Sequence, residues 1–163
     1  MLTSNAFSNK KTISIVAAEY DKFTQTDGKG IYWDIVKDIY SKAGYQVKVE
    51  TFPYSRSQYL LQQRKIDIVV GAYYEEFGGA IYPDRADMLD RDKLSVIYLS
   101  GSIPEWRGMK SLFAAKVGWP RGYRYEKYLD VDISSYEVSD AQHALSMMRL
   151  GRLDFYIDSD TEM

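Results

Sequence analysis

Residues 30–73, GIYWDIVKDIYSKAGYQVKVETFPYSRSQYLLQQRKIDIVVGAY, decide the fold. The first part sets Tyr32, Ile35, Val36, Ile39, Tyr40 and Ala43 at i, i+3, i+4, i+7, i+8 and i+11, one apolar stripe at helical spacing. Gly44 supplies the helix stop. QVKVETF (46–52) alternates with period two and predicts a strand. SRSQYLLQQRK (55–65) predicts a short helix with Ser55 or Ser57 as its cap. IDIVVGAYY (66–74) is almost continuously apolar, as a strand covered on both faces should be. Within that strand Tyr73 and Tyr74 fall on opposite faces. Upstream, TISIVAA (12–18) is short and β-branched, a buried strand. Strand–helix–strand–helix–strand with short connections predicts parallel pairing through right-handed crossovers.

Downstream, 75–93 is turn-rich and poorly periodic, LSVIYLS (94–100) is a strand, and GSIPEWRG (101–108) is punctuated by Gly and Pro. A second unit follows. MKSLFAAK predicts a short helix, KVGWP a short strand, GYRYEKYL a helix and SSYEV a strand. SDAQHALSMMRLG is a helix with Ser139 and Gln142 as a capping box, Ala141, Ala144, Leu145 and Met148 as its stripe, and Gly151 as its stop. RLDFYIDS is the last strand. The expected organisation is a first lobe over 1–100, a hinge over 101–108 and a partial second lobe over 109–163. No internal repeat is present.

Composition narrows the function classes. Lys plus Arg (21) nearly balance Asp plus Glu (23), so no basic field exists to attract nucleic acid. The apolar runs are too short to span a bilayer. The absence of cysteine excludes disulfides, thiolate metal sites and a cysteine nucleophile. The N-terminal MLTSNAFSNKKT is polar and lacks the apolar region of a signal peptide. The chain is rich in rings, with 15 Tyr, 3 Trp and 6 Phe. Most belong to core and half-buried surface, and several are expected to line a cleft.

Catalytic motifs fail one by one. Gly28-x-Gly30 followed by Glu50 echoes a dinucleotide fingerprint, but Trp33 stands where the third glycine belongs. His143 has no second His or Cys to make a zinc site. The pair Glu75–Glu76 reads as solvated loop charge, as does Asp158/Asp160, although paired carboxylates can do acid–base work. DSDTEM lacks the sharp glycine turn of a calcium loop. No catalytic residue, metal or cofactor is expected.

The order of elements and several local patterns resemble the bacterial extracellular solute-binding proteins of family 3, the type II periplasmic binding fold. In residues 30–73 the likeness lies in Gly30 to Ile35 with Asp34, the helix-ending Gly44, Pro53–Tyr54 and Lys65–Ile66–Asp67. AAKVGWPRGYRYEKYL and ALSMMRLGRLDFYIDSD resemble second-lobe segments of that family. The resemblance implies an α/β, two-lobed protein, each lobe a mostly parallel sheet with flanking helices. It also implies capture of a small polar or amino-acid-like solute in an interlobe cleft for an ABC transporter. The location implied is periplasmic, reached by a signal peptide that this sequence does not contain, and the partners implied are transporter membrane subunits.

Ligands of open α/β sheets bind beyond the carboxyl ends of the strands. Candidate ligand-binding residues are therefore Tyr20, Trp33, Tyr54, Arg56, Tyr73 and Tyr74 in the first lobe. In the second they are Trp119, Arg121, Gly122, Tyr123, Asp158, Ser159 and Asp160. Rings can sandwich an apolar ligand part, Arg can clamp a carboxylate, and Asp can accept from an ammonium. The amino-acid-binding pattern of the family is altered here. No Thr-x-x-Arg follows the third strand, Tyr123 replaces a Ser or Thr, and Ser159 stands where an acid is usual. The resemblance also implies a chain that ends midway through the second lobe. The open sheet edge this leaves predicts self-association. A sensor module and a dehydratase-like enzyme on the same scaffold are the competing readings; the enzyme would need a carboxylate with a raised pKa.

Overall fold

The computed structural model describes residues 11–160. Residues 1–10 of the N-terminal stretch read above, and Glu162, lie outside the described residues. The chain divides after Phe77 into two compact units.

In the first unit, β1 (Thr12–Ala17), β2 (Gln46–Thr51) and β3 (Ile68–Val70) form a parallel sheet in the order β2-β1-β3. The crossovers carry α1 (Ile31–Lys42) and α2 (Tyr54–Gln62). The β-branched run of β1 is central and buried, and Ile13, Ile15, Ala17 and Val70 close on Trp33 and Val36 of α1. The buried face of α1 is turned slightly from the expected stripe: Trp33 and Val36 are inside, whereas Ile39 is 52% exposed. Gly30 precedes α1 because a Cβ there would lie 2.3 Å from the Phe23 carbonyl oxygen. That packing is the need this glycine serves. Pro53, not Ser55 or Ser57, occupies the N-cap position of α2, and no side chain caps it. β3 stops at Val70 because Gly71 turns the chain at φ +81°. Tyr73 and Tyr74 therefore sit in a turn and do not alternate across a strand.

In the second unit, β4 (Leu94–Ile97), β5 (Lys116–Pro120), β6 (Ser134–Val138) and β7 (Phe155–Ser159) form a sheet in the order β4-β7-β5-β6. β5 is parallel to β6 and β7, and β4 runs antiparallel to β7. This pairing corrects the expected boundary. The strand within 94–100 belongs to the second sheet, so residues 101–108 lie inside the second unit and do not join two lobes. The chemistry of 101–108 suits a linker, but the ladder between Ile97 and Tyr156 decides its place.

The helix α3 (Ala141–Arg149) packs Ala144 and Met148 against Val138, Leu153 and Tyr156. Its N-cap is Asp140, whose carboxylate accepts from the His143 N–H at 2.8 Å, and the expected Ser139–Gln142 capping box does not form. Gly108–Leu112 and Tyr125–Lys127 are short 3-10 turns where helices were expected. No described helix is long and apolar enough to cross a membrane.

Candidate functional site

Each unit sets a tyrosine hydroxyl on a buried carboxylate, Tyr54 on Glu76 and Tyr156 on Asp158. In the first unit the Tyr20 ring packs on Gly71, where an added Cβ would lie 3.0 Å from it. Thr24, fully buried, donates to the Ala18 carbonyl at 2.6 Å and accepts from the Tyr20 N–H at 3.2 Å, which fixes the turn after β1. Tyr54, at the start of α2, is 5% exposed, and its hydroxyl donates to Glu76 Oε2. The Tyr73 N–H reaches the same oxygen at 3.3 Å. Burial, then the Glu76 charge, pushes the Tyr54 phenol well above its ordinary range, so it remains a donor. The Phe77 ring lies 6.0 Å from that of Tyr54.

Two first-unit candidates stand apart from this group. Trp33 has no exposed surface, and its indole N–H is spent on the Gln25 carbonyl at 3.2 Å. It is a core residue, and its assignment as a ligand contact is corrected. Arg56 is exposed, with its guanidinium 5.1 Å above the Phe52 ring. Tyr20, Tyr73 and Tyr74 are half-buried.

In the second unit, Asp158 is 5% exposed and is not the solvated lip that the sequence suggests. The Tyr156 hydroxyl donates to its Oδ2, and the Ser159 N–H donates to Oδ1 at 2.9 Å. Burial raises the Asp158 carboxyl above its ordinary value, the two hydrogen bonds oppose that shift, and the nearby Asp92 charge adds to it. Ser159 donates its hydroxyl to Asp92 at 2.8 Å. Asp160 faces outward, bonded by Ser95 and paired with Lys93 at 3.2 Å.

The loop after β5 forms a separate patch. Trp119 is 2% exposed and donates its indole N–H to the Tyr123 carbonyl at 3.0 Å. The Gly122 N–H donates to Glu137 at 3.2 Å, and the Tyr123 ring lies 5.3 Å from that of Tyr125. Arg121 is exposed, and its N–H is tied to the Val138 carbonyl. Trp119, Tyr123, Arg124, Tyr136 and Glu137 are among the walls of a shallow recess of about 120 Å³, too small to enclose a solute on its own. No described group of His, Cys, Asp and Glu could hold a metal ion.

Sequence reasoning missed Glu76 and Tyr156 as members of these groups. Tyr156 is two residues from Asp158 on the same face of β7, a signal that period-two counting could have used. The Tyr54–Glu76 pair spans 22 residues and left no local signal.

The architecture is the type II periplasmic binding fold. An ancestral arginine-binding protein bound to arginine is 19% identical over 94% of this chain and 72% of its own, with a TM-score of 0.59. The GluR0 ligand-binding core from Nostoc punctiforme, in complex with L-glutamate, is 17% identical over 92% and 70%, with a TM-score of 0.60. A substrate-binding protein of an ABC uptake transporter from Streptococcus pneumoniae, with bound histidine, is 15% identical over 93% and 67%, with a TM-score of 0.55. At these identities the likeness is one of fold. No protein-family model matches the chain, and no curated protein matches it in sequence.

Proposed function

We propose that this protein captures a small polar or amino-acid-like solute through residues at the carboxyl ends of its parallel strands. It would work outside the cytoplasm and deliver the solute to the membrane subunits of an ABC transporter. The observation that carries this reading is the buried Asp158–Ser159 pair at the end of β7, with half-buried Tyr20, Tyr73 and Tyr74 at the ends of β1 and β3. Strand carboxyl ends are where open α/β sheets hold ligands. Three fold relatives carry arginine, glutamate or histidine in their structures, which supports a solute with an ammonium group.

A thermal-shift screen against amino acids, amines and small acids tests the reading. A bound solute stabilises the folded state by RT ln(1 + [L]/Kd) and so raises the transition temperature; a library that leaves the transition unmoved sinks the reading.

A dehydratase-like enzyme is the second reading. The raised Asp158 carboxyl favours it, since such a group can act as a general acid. NMR of a bound hit over time separates the two, because a binder returns its solute unchanged.

Self-association through the edge strand β6, whose Ser134–Glu137 are exposed, is part of the same proposal. Light scattering at high concentration that reports only a monomer overturns it.

A further inference from the structure

The first unit buries an acid that the reading above leaves unused. Glu76 is 4% exposed, in the turn after β3. Among the described residues, Glu76 and Asp158 are the buried ionisable acids, and no Lys, Arg or His is buried. Two separate pieces of the unit meet at Glu76. The Tyr54 hydroxyl and the Tyr73 N–H both donate to its Oε2, and Tyr20 packs on Gly71 at the end of β3. One helical turn after Tyr54, Ser57 is fully buried with a hydroxyl that has no hydrogen-bond partner. This wall of the unit is therefore rich in acceptors and ring faces and holds no buried cation.

We propose that Glu76 determines specificity by selecting a cationic amine, so that amines bind better than carboxylate-bearing solutes of the same length. The inference rests on the solute-binding reading and names its substrate class. An ammonium brings three donors and a full positive charge. A buried carboxylate attracts it strongly because the surroundings screen weakly, and it repels a solute carboxylate for the same reason. Tyrosine faces within reach of the ammonium add to the preference. Tyr54 holds the carboxylate in place, a positioning role.

The test uses the full chain and three probes of equal length: cadaverine, its ω-amino acid and glutarate. Calorimetry should rank them in that order. Glu76→Gln keeps an oxygen for the Tyr54 hydroxyl but removes the charge. It should lose cadaverine affinity by about tenfold or more and narrow the gap to glutarate. Tyr54→Phe leaves the acid but removes the hydroxyl that positions it, so cadaverine affinity should fall less than in E76Q and cadaverine should still outrank glutarate; a fall as large as that of E76Q with the ranking lost would mark Glu76 as a structural strut and overturn the proposal. Wild-type preference for glutarate, or E76Q binding cadaverine as wild type does, also overturns it while solute binding stands. If neither these probes nor the amino-acid library binds, the solute-binding reading falls and the proposal falls with it.

Discussion

The two units bury a tyrosine–carboxylate pair by different routes. In the second unit both partners belong to β7, Tyr156 and Asp158, two residues apart on one face of a strand already fixed by β4 and β5. In the first unit the partners are Tyr54 on α2 and Glu76 in a turn, 22 residues apart. The second pair decorates a strand that the ladder holds anyway. The first pair helps hold the backbone that carries it. A hydrogen bond to a charged group thus has a local effect in one unit and ties a turn to a helix in the other.

The largest expected effect comes from the core of the first unit. Trp33→Ala removes a fully buried indole and should cost about 3–5 kcal/mol in urea unfolding. Solute affinity per folded molecule should stay unchanged, and a selective loss of affinity would restore Trp33 as a contact.

Next come the pairs themselves. Tyr54→Phe and Tyr156→Phe should each cost about 1.5–3 kcal/mol, the range for a hydrogen bond to a charged group. Hydrogen exchange separates them: residues 71–77 should lose protection in Y54F, while β7 keeps its own in Y156F. Equal loss in both would break the comparison.

The pH response sharpens it further, because buried and exposed acids shift in opposite directions. The Asp158 carboxyl is raised by burial, so between its ordinary and folded values the native state holds the extra proton. Its contribution to stability should fall as pH rises through that window, and the penalty is complete above it. Asp67 is lowered because the Ser14 N–H and hydroxyl donate to it at 2.8 and 2.7 Å. Its contribution is present above the ordinary value and lost as pH falls through the folded value. As pH rises across about pH 3–7, Asp158→Asn should therefore gain stability relative to wild type and Ser14→Ala should lose it; parallel profiles would remove the contrast.

The smallest effect concerns a cap. Asp140→Ala should fray the first turn of α3 in circular dichroism with only a slight loss of stability, because the His143 N–H loses its acceptor. α1 and α2 have no side-chain cap to lose.

How much of this was legible follows from the range of each interaction. The parallel βαβαβ unit stood in residues 12–70 because its signals are periodic and local. The glycine stops at 44 and 151 adopt positive φ for the same local reason. Asp158 and Ser159 could be placed at a strand end by counting. Their burial could not, since it depends on β4 arriving from 60 residues upstream to cover β7. Glu75 and Glu76 look alike in sequence, yet Glu75 is exposed and Glu76 is buried because Tyr54 meets only the second. Trp33 lay one position outside the expected stripe of α1, but its i, i+3 relation to Val36 was there to be read.

The sequence by itself determined the run of elements, the parallel first sheet, the absence of cysteine chemistry and the strand ends where polar side chains gather. Only the tertiary structure decided which sheet Leu94–Ile97 joins, which acids leave water and which aromatic residues are core. Those outcomes turn on contacts between segments far apart in the chain, where burial and a partner's hydrogen bond fix a side chain's role, and no local pattern records them.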